Sequence, residues 1–335
     1  MSPLMRLKRL LTLVVTVLCV VLAVASCSST GGKPQDTGGG MSAGAADTPR
    51  KVVAMIGHYG PGVAFADLIR KGAEAAAAKD NIELRFSSDP DAPTQANQVQ
   101  AALDSKVDGI AVTLAKPDAM APAVKAAVAA GIPVVAFNAG FDAWKGMGIS
   151  QFFGQDETIA GRAAGERLAK EGAKKTLCVI HEQGNVSLEA RCAGVKEGLA
   201  GAAVENLYVN GNDMPSVQAT ITAKLQQDPS IDHIATLYSA IGMAALQAKE
   251  SSGSQATVVT FDTSAELVDA IKDKKIAWTI DQQPFLQGYL AVDSLWLYMN
   301  NRNTIGGGGA VLTGPAFVDA TNIDAIAEYA SRGTR

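Results

Sequence analysis

A chain of 335 residues is too long for one small core and suits two lobes. Its hydrophobic content of 47%, with 5% aromatic, describes an Ala- and Val-rich globular protein and excludes a disordered one. The net charge is −4, and it becomes −7 once the three cations of the first 26 residues are set aside, which excludes the clustered Lys and Arg that a nucleic-acid partner requires.

The first segment is an address. Arg6, Lys8 and Arg9 form a basic start, an apolar run covers 10–24, and Val24-Ala25-Ser26 leads into Cys27. The run is too short for a spanning helix, so the segment reads as a secretory signal. Small residues immediately before Cys27 resemble the lipobox of bacterial lipoproteins, which implies lipidation at Cys27 and a mature chain held outside the cytoplasm on the cell membrane. Residues 28–49 are rich in Gly, Ser, Thr and Ala without apolar period and read as a flexible tether.

From Arg50 onward, short apolar runs alternate with amphipathic stretches. Strands are expected at 52–56, 82–86, 109–114 and 133–137, with helices at 65–79, 94–104 and 119–130 between and after them. After 146–153 the pattern restarts. Helices are expected at 158–170, 187–199, 216–227, 240–250 and 265–272, and strands at 176–181, 204–209, 233–238, 257–261 and 276–280. Pro284 opens a helix to residue 300, 306–309 is a glycine loop, and 310–318 is a last extended segment crossing between lobes. Near-continuous apolar strands alternating with helices predict two doubly wound parallel sheets of the α/β class.

Four cysteines occur. Cys19 lies in the signal and Cys27 is the lipid site. Cys178, early in its strand, and Cys192, one to two turns into the next helix, fall at similar heights and suit a disulfide in an oxidising compartment; two buried free thiols are the alternative.

In open α/β sheets ligands bind beyond the carboxyl ends of the strands. The residues there are polar in both halves: His58, Thr113, Asn138, Gln155-Asp156, His181-Glu182, Ser239, Asp262 and Asp281-Gln282-Gln283. Asp or Ser at such places also serves simply to cap a helix. Together they predict a shared cleft. Catalytic signatures are missing from the sequence. His181-Glu182 lacks the second His of a metalloprotease helix, no Gly-x-Ser-x-Gly or Walker motif occurs, and 57–62 does not have dinucleotide-binding spacing. No cofactor and no metal site is expected. Carboxylates, amides and one Arg with an aromatic face suit a polyhydroxylated ligand.

Several segments, in this order, resemble one family. They are 70–76 (RKGAEAA), 107–110 (VDGI), 130–135 (AGIPVV), 154–157 (GQDE), Gly184-Asn185 leading to Arg191-Cys192-Ala193-Gly194, Phe261-Asp262, and Gln282-Gln283-Pro284. The likeness is to bacterial solute-binding lipoproteins of ABC sugar importers of the ribose-binding type. It implies the type I periplasmic binding fold, with three crossovers near Gly154, Gln282 and Leu312. An N-terminal lobe of 50–154 plus 283–311 and a C-terminal lobe of 155–282 plus 312–335 follow. It implies ligand contacts from Phe65, Thr113, Asn138, Gln155, Asp156, Arg191, Phe261, Asp262 and Gln282, with Ser239 and Met214 added from local position. It further implies a monomer that captures a sugar or polyol by hinge closure and delivers it to a membrane permease, with no catalysis. A sensor subunit for a receptor kinase and a secreted hydrolase are the other readings. One aromatic at 63–66 and no Asp-Arg pair at 138–139 point to a small polyol or short sugar as readily as to a hexose.

Overall fold

The computed structural model describes residues 46–335. The expected signal, Cys27 and the tether up to residue 45 lie outside these residues. Residues 46–48 belong with the folded part. The Ala46 amide donates to the Lys79 carbonyl, and Thr48 accepts from Asn81 and Trp296 side chains.

The first sheet has strand order β2-β1-β3-β4-β5-β11 and is parallel throughout. Its strands are β1 Lys51–Gly57, β2 Ile82–Ser88, β3 Gly109–Val112, β4 Val134–Asn138, β5 Gln151–Gly154 and β11 Ala310–Leu312. The helices flanking it are α1 Ala64–Lys79, α2 Ala92–Asp104, α3 Pro117–Ala129 and α9 Pro284–Asn301. β3 and β4 are buried along their whole length, whereas β2, at the sheet edge, is half exposed. That is the pattern of strands covered on both faces. One core, with Met55, Ile69 and Phe137, fills one side, and another, with Ile110, Met120 and Phe152, fills the other.

The second sheet repeats this plan in the order β7-β6-β8-β9-β10-β12. It contains β6 Lys175–Ile180, β7 Ala203–Tyr208, β8 His233–Thr236, β9 Thr257–Phe261, β10 Trp278–Asp281 and β12 Ala316–Asp319. Its helices are α4 Glu157–Lys170, α5 Val186–Gly198, α6 Met214–Gln227, α7 Ser239–Ser252, α8 Ala265–Lys272 and α10 Asp324–Arg332. The sheet is not wholly parallel, because β12 runs antiparallel to β10. A parallel return needs a crossover of a dozen or more residues, and only 313–315 separate β11 from β12, so the chain enters the second sheet from the opposite end.

Two elements lay outside the sequence expectation. β5 is four residues of Gln-Phe-Phe-Gly, too short for a period, and α10 is nine residues that bury only Ile326 and Ala330. The chain passes between lobes at 154–156, 281–283 and 312–316. Cys178 of β6 and Cys192 of α5 are joined as a disulfide, with Cα atoms 5.9 Å apart.

Helices α4 and α5 approach unusually closely. A Cβ on Gly161 would overlap the Arg191 carbonyl, and one on Gly194 would overlap the Thr158 carbonyl. These two glycines let the backbones touch, and that contact brings the start of α4 against Arg191.

Candidate functional site

The carboxyl ends of the two sheets face each other across a cavity with about 800 Å³ of space between atoms, its mouth included. The N-terminal lobe contributes His58, Tyr59, Val63, Phe65, Pro90 and Asn138, and the C-terminal lobe contributes His181, Glu182, Asn185, Arg191, Asn212, Tyr238 and Asp262. Gln282, on the second crossing, completes the floor.

A hydrogen-bonded line runs across the floor from one lobe to the other. Tyr59 Oη donates to Asn138 Oδ1 (2.9 Å), Asn138 Nδ2 donates to Gln282 Oε1 (3.0 Å), and Gln282 Nε2 donates to Asp262 Oδ1 (2.7 Å). Gln287 of α9 accepts from Asn138 Nδ2 and donates to the Gln282 carbonyl, locking both amides. Asn138, the last residue of β4, and Asp262, just after β9, both have positive φ, at 61° and 67°. Non-Gly residues adopt that conformation at a cost, and such strain gathers at binding sites.

Arg191 is the only Lys or Arg among the described residues lining the cavity. Its Nε and Nη2 donate to the two carboxylate oxygens of Glu157 (2.5 and 2.8 Å), and Nη1 donates to the Leu237 carbonyl (3.0 Å). Its guanidinium lies 4.7 Å from the centroid of the Phe261 ring. Burial pushes the Asp262 carboxyl up to about 7, against the opposing pull of Arg191 and Gln282. Burial pulls His58 down to about 4, with Lys116 acting in the same direction and Glu182 opposing, so the ring is neutral at pH 7. His181 is likewise lowered to about 4, by burial first and then by Arg191.

The lobes also meet at the rim. The Val186 amide donates to the Ala115 carbonyl (3.0 Å), Lys116 pairs with Glu182 (3.3 Å), and Asn185 Nδ2 lies 3.4 Å from His58 Nε2.

Of the residues expected at the site, Phe65, Asn138, Arg191, Asp262 and Gln282 stand on the cavity wall. The others do not, each for a physical reason. Thr113 sits behind His58, bonded to His58 Nδ1 and Gln95 Nε2. Gln155 is buried in the first crossing and donates to Glu157. Asp156 caps α4, accepting from the Ile159 amide. Phe261 lies under Arg191 as a platform. Ser239 is buried in the first turn of α7, and Met214 packs against the core of its lobe. The strand-end rule singled out His58, His181 and Glu182, which do line the cavity. Tyr59, Asn185 and Asn212 come from loops and a helix start, for which the sequence offered no directional signal, and Tyr238, expected to end the strand 233–238, instead precedes α7 because β8 stops at Thr236. No group of three or more His, Cys, Asp or Glu that would hold a metal occurs among the described residues. None of the helices among them is long and apolar enough to cross a membrane.

Two similar lobes, joined by three crossings and closing over a cavity to which each contributes hydrogen-bonding side chains, define a hinge-bending receptor for a small molecule. The chain belongs to the periplasmic binding protein domain family, whose model matches residues 53–303. The family is one of binding proteins rather than enzymes. A carbohydrate transporter from Acidothermus cellulolyticus, solved with myo-inositol, is 55% identical with a TM-score of 0.84, covering 86% of this chain and 100% of that one. The xylose/arabinose-binding protein of Sulfolobus acidocaldarius is 24% identical over 72% of this chain and 64% of its own length. The xylitol-binding protein of Mycolicibacterium smegmatis is 27% identical over 75% of this chain and 72% of its own length.

Proposed function

We propose that the protein is the extracytoplasmic receptor of an ABC importer and that its ligand is a neutral cyclic polyol, myo-inositol first among the candidates. The observation that carries this is the composition of the wall. It offers donors and acceptors from both lobes, one cation already matched by a carboxylate, and aromatic side chains at Tyr59, Phe65 and Tyr238 to flank the C–H face of a ring. Hydroxyls both donate and accept, so such a wall satisfies them without a charged partner. The 55% identity to a structure holding myo-inositol supports the same choice. The ligand stabilises the closed form because only there do both lobes reach it. Lipid attachment at Cys27 and a short tether then hold a monomeric receptor near its permease.

A thermal-shift panel tests the ligand. Ligand at one hundred times its Kd stabilises a protein by about 2.7 kcal/mol, a rise of several degrees. The expected order is myo-inositol first, then pentitols and pentoses, with little response to disaccharides. No shift with any neutral polyhydroxylated compound would sink the proposal.

A further inference from the structure

Arg191 faces the cavity, yet its charge is already engaged. Both its Nε and Nη2 edges are held by Glu157, and both side chains are almost fully buried, at 4% and 3% exposure. Glu157 is in turn fixed: it opens α4, accepts from Gln155 Nε2 (3.2 Å), and is pressed against Arg191 by the glycine contact between α4 and α5. Burial raises the Glu157 carboxyl, but Arg191, Gln155 and the helix start all favour its charged form. The other charged groups on the wall are acidic, Asp262 and Glu182, and Glu182 is offset by Lys116.

We propose that Glu157 is the residue that sets the charge preference of the cavity. By occupying Arg191 it withholds the one cation from the ligand, so the site takes neutral polyhydroxylated rings and rejects their carboxylate and phosphate derivatives. This rests on the reading of the cavity as a polyol site. An entering anion meets no unmatched cation here and stands beside acidic groups at low dielectric, where like charges repel strongly. Glu157 stands behind Arg191 and is a positioning residue rather than a ligand contact.

The test is calorimetric titration of the full chain with three probes: myo-inositol, myo-inositol 1-phosphate and D-glucuronate. Wild type is expected to bind myo-inositol at least a hundredfold more tightly than either anion. Glu157→Gln keeps the shape and removes the charge. It is expected to weaken myo-inositol about tenfold and to tighten the anions, moving the preference by a hundredfold or more, and the gain should shrink as salt is raised. Glu157→Asp keeps the charge, so it should weaken myo-inositol yet go on rejecting the anions. Circular dichroism checks that each variant is folded; should Glu157→Gln fail that check, Glu157→Asp carries the test alone. A wild type that binds the anions as well as myo-inositol overturns the inference. So does a folded Glu157→Gln with unchanged preference, or a Glu157→Asp that admits the anions. A wild type that binds no polyol at all defeats the functional reading instead.

Discussion

The two lobes share a strand order but line the cleft with different chemistry. Position for position, His58 after β1 answers to His181 after β6, and Asn138 at the end of β4 answers to Asp262 after β9. In the N-terminal lobe each such group has its partners within the protein, His58 with Thr113 and Asn138 with Tyr59, Gln282 and Gln287. In the C-terminal lobe His181 Nδ1 is buried without a partner, and Asp262 bonds Gln282 through Oδ1 alone. The first wall is neutral and already satisfied. The second carries the charges and the unspent hydrogen-bonding capacity, so it has more to gain from a ligand. A duplicated scaffold thus separates shape from affinity.

The strongest way to break this asymmetry is to strip the charged wall. Arg191→Ala leaves Glu157 buried without its partner, and breaking a buried pair costs about 3–5 kcal/mol. Urea unfolding with the disulfide intact should report a loss of that order together with no myo-inositol binding. A loss below about 1 kcal/mol would mean that Glu157 is neutralised without penalty.

Asn138→Asp makes the walls alike. It replaces the donors to Gln282 and Gln287 with an acceptor and adds a second carboxyl to the floor. Affinity for myo-inositol at pH 8 should fall about a hundredfold, near 2.7 kcal/mol, and recover in part at pH 5. Equal affinity at both pH values would show that the neutrality of this wall is incidental.

The carboxyl of Asp262 gives the asymmetry a pH signature. Its pKa is raised from 3.8 to about 7, so the folded state binds more protons than the unfolded state between those values. Its contribution to stability is therefore greatest at low pH and declines as pH rises through that window. Asp262→Asn lacks the decline, so its stability relative to wild type should improve from pH 4 to pH 7, by about 4 kcal/mol at most. A difference that is flat with pH would contradict the assignment. The smallest effect belongs to the rim. Lys116 is 35% exposed, and Lys116→Ala should cost at most about 1 kcal/mol of closure, seen as a slight, salt-dependent weakening in the same titration.

Much of this was legible in the sequence. The duplicated α/β pattern and the strand ends placed His58, Asn138, His181 and Asp262 at one cleft. Strand-end position, however, specifies height along the strand and leaves side-chain direction open. Thr113 and Phe261 end strands as well, but they point behind the wall, one into a bond with His58 and the other under Arg191. Asp156 spends its carboxylate on the Ile159 amide at the start of α4. Glu157, next to it, carries no signal of its own in the sequence, because its importance depends on how closely two helices pack. The contributions of Tyr59 and Asn212 arise from loop geometry, which has no period to read.

If both lobes close on one neutral ring, binding compacts the molecule. Small-angle X-ray scattering of the chain with and without myo-inositol tests it most directly. The account predicts a smaller radius of gyration with the polyol, a curve matching the closed lobes, and no change with D-glucuronate. Saturable binding of myo-inositol with an unchanged curve, or compaction by the anion as well, would contradict it.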